Sequence, residues 1–172
     1  MRVILALTAD RAMARYGHMS VIDKTAGMPA GETTCNCAAI RQAARRVTRL
    51  YDQALAPAGL RITQYPILSW LAATGPVTMN VLAERLAMDR ATLGHNLRPL
   101  EAQGLVTLAA GKDRRSRVID LTPAGRAKLA DARPAWNTAQ HRFEATFGRE
   151  DAAVLRATMV RLARLDFACK DG

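Results

Sequence analysis

Aromatic side chains are scarce, at 5% of the 172 residues, while Ala, Leu and Arg abound. That balance excludes a β-sandwich or barrel and fits long helices. Cysteine is nearly absent too, with Cys35, Cys37 and Cys169 the full set. Three thiols are too few for a disulfide scaffold and suit a reducing cytoplasm. Long apolar runs are missing: no segment is of membrane-spanning length, and the opening Val3 to Leu7 run, which faintly resembles a signal peptide, is interrupted by Asp10 and Arg11. Catalytic patterns are missing as well. His18, His95 and His141 have no partners at triad or paired-ligand spacing, and no phosphate-cradling glycine loop occurs, so neither an enzyme, a cofactor nor a metal is expected.

The other deficit is of negative charge. Fifteen acidic residues face 25 basic ones, for a net charge of +10, and most of the basic residues are Arg. Arginine forks onto phosphates and guanine edges, so a polyanionic partner is the natural reading; a soluble protein of high pI is the bland one, and position must separate them. With 49% hydrophobic residues the chain is long enough to bury a sizeable core.

Residues 1–31 differ in texture from the rest. The pattern from about Val3 to Tyr16 predicts a short helix ended by Gly17, and with the Gly/Pro-containing stretch after it reads as an appendage: an arm on a partner subunit, or poorly ordered sequence. From Cys37 to about Ala56, Ile40, Ala44, Val47, Tyr51 and Leu55 recur at spacings of three and four between Arg41, Arg45, Arg46 and Arg49, predicting one long amphipathic helix. Pro57 and Gly59 end it. Thr63 is the expected cap of a second helix through Tyr65, Leu68 and Leu71.

Thr78 is placed to cap a third helix carrying Leu82, Ala83 and Leu86, and after the turn Ala87-Met88, Asp89 is placed to cap a fourth. In that fourth helix Leu93, Leu97 and Leu100 fall on one side, and Pro99 predicts a kink. Gly104 closes it. Two β-prone runs follow, Leu105 to Leu108 and Arg117 to Leu121, as a hairpin with a basic tip. Beyond Thr122-Pro123, a stripe of Leu129, Ala132, Trp136, Phe143 and Phe147 marks a long helix, and a last one is expected from about Arg149 to Phe167.

Two helices joined by a tight turn, then a hairpin, outline a winged helix-turn-helix: mainly α with a small β-hairpin wing. From Arg90 to Arg98 the fourth helix rises about 12 Å, the width of the B-DNA major groove. With its leucines assigned to the core, its other face offers Arg90, Thr92, Gly94, His95 and Arg98 as base and phosphate readers. An isolated helix with this face would simply be solvated. The adjoining tip, Lys112, Asp113, Arg114, Arg115, Ser116 and Arg117, tips the reading, because clustered arginines at a loop tip suit an electronegative groove better than packing.

Over about Cys37 to Phe167 the chain resembles the MarR family of bacterial transcription regulators. The resemblance is carried by Leu82-Ala83-Glu84-Arg85-Leu86, by Leu97 to Val106, and by Asp113-Arg114-Arg115 leading to Leu121-Thr122-Pro123-Ala124-Gly125. It implies a homodimer held by the first and last helices, with both recognition helices in successive major grooves of a near-palindromic operator. It further implies that Asp113 orients the wing, that Arg115 enters the minor groove, and that the dimer represses. The expected organisation is an appendage (1–31), a helical dimerisation region (32–60 with 123–172) and a winged helix-turn-helix (61–122). Gly94 and His95 depart from relatives that place a hydroxyl or Arg there, so no operator sequence carries over.

The apolar stripes of the first and terminal helices exceed what a small reading head can cover, which independently favours a dimer; burial within one chain is the alternative. The resemblance also implies release by a small aromatic acid or phenol, or by oxidation of cysteine. Arg49, Tyr51, Tyr65 and Trp70, near the junction of the first two helices, are the candidate effector pocket, though aromatics at such spacing also build core. Cys35 and Cys37, at the start of the first long helix, sit where the helix dipole favours thiolate, and together with Cys169 they are candidate redox thiols, a three-thiolate metal site or inert cysteines, with two-residue spacing weak evidence for the metal. Double-stranded DNA, a second copy of the chain and a small effector are the expected partners, with no membrane. A non-specific architectural DNA binder, or a winged helix that contacts protein, remains the alternative.

Overall fold

The computed structural model describes residues 34–111, 117–165 and 167. The sequence expectations for residues 1–31, for Lys112, Asp113, Arg114, Arg115 and Ser116 at the hairpin tip, and for Cys169 lie outside the described residues. The chain divides into two units, 1–42 and 43–172. In the first, the described residues are exposed and open helix α1 (Asn36–Leu55), with Ile40 41% accessible. The second holds the end of α1 and everything after it.

Within that unit α1 buries Tyr51 and Leu55 and leaves Ala44 exposed, so the apolar stripe is used by the core only near its end. A 3-10 turn (Ala56–Ala58) follows, closed by Gly59 at φ 65. Helix α2 (Tyr65–Thr74) starts from Gln64, not Thr63: the buried Gln64 side chain accepts the Arg61 N–H through Oε1 at 3.0 Å. Strand β1 (Val77–Thr78) leads into α3 (Met79–Arg85), where the Thr78 hydroxyl oxygen accepts from the Val81 N–H. This is the cap its position predicts.

Helix α3 turns into α4 (Arg90–Ala102) through Ala87 and Met88. The Met88 N–H reaches back to the Ala83 carbonyl at 2.9 Å, and that of Ala87 to Glu84 at 3.1 Å. Satisfying the last carbonyls this way needs a left-handed residue at the turn, and Ala87 supplies it at φ 49, at a cost of about 1 kcal/mol. The end of α4 repeats the device with glycine: Leu105 N–H donates to the Leu100 carbonyl across Gly104 at φ 67. Helix α4 runs through Pro99 to Ala102.

Strands β2 (Val106–Ala110) and β3 (Arg117–Leu121) pair antiparallel from Val106–Leu121 out to Ala110–Arg117, and β1 adds to the other edge of β3 to give the order β1-β3-β2. Period-two alternation buries Ile119 and Leu121 on the inner face. Helix α5 (Pro123–Phe147) is capped by the Thr122 hydroxyl, which accepts from the Gly125 N–H at 3.0 Å and donates to the Gly104 carbonyl at 2.7 Å, tying α5 to the end of α4. Helix α6 (Arg149–Leu162) ends short of the expected Phe167. The fold is therefore mainly helical with a small antiparallel sheet, as the sequence indicates. No helix among the described residues is long and apolar enough to cross a membrane.

One core joins these elements: Leu55, Leu60, Leu68 and Leu71 meet Leu82, Leu93, Leu97 and Leu100, with Ile119, Leu121 and Leu129 closing the sheet side. Packing is tightest where α5 crosses the start of the hairpin. A Cβ at Gly125 would overlap the Leu105 carbonyl oxygen and lie 2.6 Å from Leu121 Cδ1. Gly125→Ala should therefore destabilise the protein by about 1–3 kcal/mol, read as a lower midpoint in urea; an unchanged midpoint would show that this crossing yields freely.

Candidate nucleic-acid interface

The site begins with the cap of α4. Asp89 accepts the Thr92 N–H through Oδ1 and the Thr92 hydroxyl through Oδ2, both at 2.7 Å. These bonds, the backbone one foremost, hold the Asp89 carboxyl below the ordinary carboxylate range. A helix so started places Leu93, Leu97 and Leu100 on one side, and all three are fully or almost fully buried. Their burial fixes the helix roll.

With that roll set, Arg90, Thr92, His95 and Arg98 are exposed and Gly94 is partly so. All five lie on one helix outside its buried leucine stripe, with Gly94, His95 and Arg98 on the open face and Arg90 and Thr92 at its two margins. Ala91 lies on the open face too, exposed, one turn before His95. The sequence reading passed over it because a methyl group carries no polar signal, yet methyl contacts are one way of reading thymine. Asn96 was passed over as well; its Nδ2 donates to the Thr92 carbonyl at 2.9 Å, bracing the first turn from within the helix. Its spacing of four from Thr92 was the available clue.

The second element is the hairpin. Arg117 is exposed at its outer end, paired with Ala110, and both strands lose burial toward the tip. Lys112, Asp113, Arg114 and Arg115 lie outside the described residues, so the position of the tip itself is left to proposal.

The candidate effector residues are distributed differently. Tyr51 and Tyr65 are buried and meet through Trp136 of α5, whose ring lies parallel to Tyr65 at 5.6 Å and tilted to Tyr51 at 6.4 Å. Burial raises both phenol pKa values. Trp70 is half-buried against the core, and Arg49 is exposed on α1. From Tyr51 a polar line runs outward: its hydroxyl donates to Gln140 Oε1 at 2.6 Å, Gln140 Nε2 donates to Glu144 at 2.7 Å, and Arg156 of α6 pairs with the same carboxylate at 3.1 Å. An open groove of about 620 Å³ lies elsewhere, lined by Asp52, Gly59, Arg61, Gln64, Pro99 and Gln103 among others. Cys35 and Cys37 are exposed.

A helix-turn-helix whose second helix shows a basic, polar face, followed by a β-hairpin, defines a winged-helix DNA-binding regulator. Comparison with known proteins agrees. A model of the MarR family matches residues 58–116. The M. tuberculosis transcriptional regulator MosR, solved in complex with DNA, is 38% identical over 79% of this chain and 98% of its own, with a TM-score of 0.71. The transcriptional repressor CouR, bound to a 23-mer DNA duplex, is 29% identical over 76% of this chain and 93% of its own, with a TM-score of 0.68. The HTH-type transcriptional regulator YwoH of Bacillus subtilis (strain 168) is 28% identical over 92 residues, 54% of this chain and 67% of that protein. The chain belongs to the MarR family, a family of DNA-binding transcription regulators.

The cap makes the start of α4 sensitive to acid. A carboxyl whose pKa is lowered by folding adds stability that is fully present above its unfolded value, near pH 4, and is lost as pH falls through the lower folded value. Melting curves of the wild type should therefore fall more steeply between about pH 5 and pH 2 than those of Asp89→Asn, which keeps a capping oxygen but has no proton to take up. Parallel acid limbs would show that the Asp89 carboxylate is not holding the helix start.

Proposed function

We propose that the chain is a homodimeric, sequence-specific repressor that grips a near-palindromic operator in the cytoplasm and is released by a small aromatic acid or phenol, or by thiol oxidation. The observation that carries the reading is the face of α4: two arginines, a histidine and a hydroxyl exposed along a helix whose roll is locked by three buried leucines. Arg90, Thr92, Gly94, His95 and Arg98 read the major groove. Lys112, Asp113, Arg114, Arg115 and Arg117 form the wing, which Asp113 orients and from which Arg115 reaches into the minor groove.

The homodimer is supported by apolar side chains left in water. Phe147 of α5 and Val154, Met159 and Val160 of α6 are exposed, as are Leu165 and Phe167 beyond it. So many large hydrophobics on terminal elements suit a two-fold interface. A two-fold dimer sets equivalent recognition helices about 34 Å apart along a duplex, one turn of B-DNA. Both proposed release routes act on the elements that set this spacing. An aromatic acid or phenol entering near Tyr51, Tyr65, Trp70 and Arg49 would disturb the Trp136 stack that joins α2 to α1 and α5. Oxidation would act on Cys35, Cys37 and Cys169, the first two of which are exposed.

The test is a titration of the purified protein against a duplex enriched by it from a random pool and against a scrambled duplex. Preference for the enriched duplex at physiological salt is expected; equal affinities would favour a non-specific architectural protein, a reading that the net charge of +10 also suits. Arg115→Ala should weaken both duplexes and reduce the salt slope by about 1. His95→Ala should chiefly change which sequence is enriched. An unaltered salt slope for the arginine variant would remove it from the DNA contact.

A further inference from the structure

Gly94 stands in the interior of α4, where glycine is the poorest ordinary helix former. Two structural reasons for glycine are both absent. Its φ is not in the left-handed region that favours this residue, and a Cβ built on it meets nothing within 4 Å. The contrast with Gly125, where a Cβ would collide with the Leu105 carbonyl, is complete. The fold would be better served by alanine at position 94.

Its neighbours say what the gap is for. Arg90, Gly94 and Arg98 follow one another at i, i+4 and i+8, a single row along the helix, so bare backbone lies between two exposed guanidinium-bearing side chains. His95 is exposed beside it. Arginines that reach guanine edges or phosphates on either side draw the helix axis toward the groove floor, and a side chain between them would hold it off.

We infer that Gly94 is a specificity-determining residue: the edge of a base pair comes into van der Waals contact with the helix backbone there, between Arg90 and Arg98. The contact is steric. It makes no hydrogen bond, and it selects operators by how closely the helix can sit in the groove. This rests on the DNA-reading role proposed above for α4, and it deepens that role.

Gly94→Ala and Gly94→Leu test it, since both replacements are strong helix formers entering open space. Thermal melting should show Gly94→Ala raised by about 2–4 °C. Against the duplex enriched by the wild type, affinity should fall at least ~10-fold for Ala and further for Leu, with a smaller loss on the scrambled duplex, which is held through phosphates. Unchanged affinity for the enriched duplex in both variants would overturn the inference, as would a lowered melting point for Gly94→Ala, which would place the glycine in the service of the fold. Equal loss on both duplexes would also overturn it, by pointing to helix flexibility rather than contact. Failure of the wild type itself to enrich any sequence is a different result: it would reject the sequence-specific reading on which this one stands.

Discussion

Burial of Leu93, Leu97 and Leu100 is the constraint on which the rest of the molecule's chemistry depends. An α-helix has no intrinsic outward face; it acquires one when a stripe of its side chains is taken from water at roughly 2 kcal/mol apiece. The three leucines belong to one buried cluster with Leu82 of α3, Leu68 and Leu71 of α2, and Ile119 of the sheet. Everything on the far side is thereby committed to solvent or to a partner. Both ends of the helix are then fixed by hydrogen bonds, through Asp89 at the start and across Gly104 at the finish. Because Leu105 continues directly into β2, the hairpin inherits its position from the same seat, and Thr122 closes the loop by binding the Gly104 carbonyl.

Leu55 of α1 and Leu129 of α5 enter the same core, and beside them the terminal helices meet α2 through rings. Trp136 stacks on Tyr65 at the start of α2 and touches Tyr51 near the end of α1, so a single indole contacts both. Beyond it, Gln140 and Glu144 carry the connection to Arg156. The Glu144 carboxyl is held below its ordinary range, first by the Gln140 amide and then by the arginines around it. A stack and a short polar chain can be rearranged at less cost than an interdigitated leucine core.

The helix order, the three caps at Thr78, Asp89 and Thr122, and the leucine spacing of α4 were all legible in the chain, because each is written within a few residues. So was the hairpin, and with it the family. The start of α2 was not: Thr63 has the right chemistry, but the buried Gln64 forms the turn instead, and only tertiary burial distinguishes the two. Nor was the partnership of Trp136 with Tyr51 and Tyr65 legible, since periodicity marks faces and is silent about which distant face meets which. The set of exposed residues on α4 follows from assigning its leucines to the core. That Gly94 has open space around it follows from coordinates alone.

The central claim is that the outward face of α4 and the hairpin after it hold a duplex together, once in each of two subunits. Hydroxyl-radical footprinting on the duplex enriched by the wild-type protein measures this most directly. Two symmetric protected stretches centred about 10 base pairs apart are predicted, each flanked by minor-groove protection and saturating at two chains per duplex. A single protected stretch, or protection spread evenly along the duplex without regard to sequence, would contradict the account.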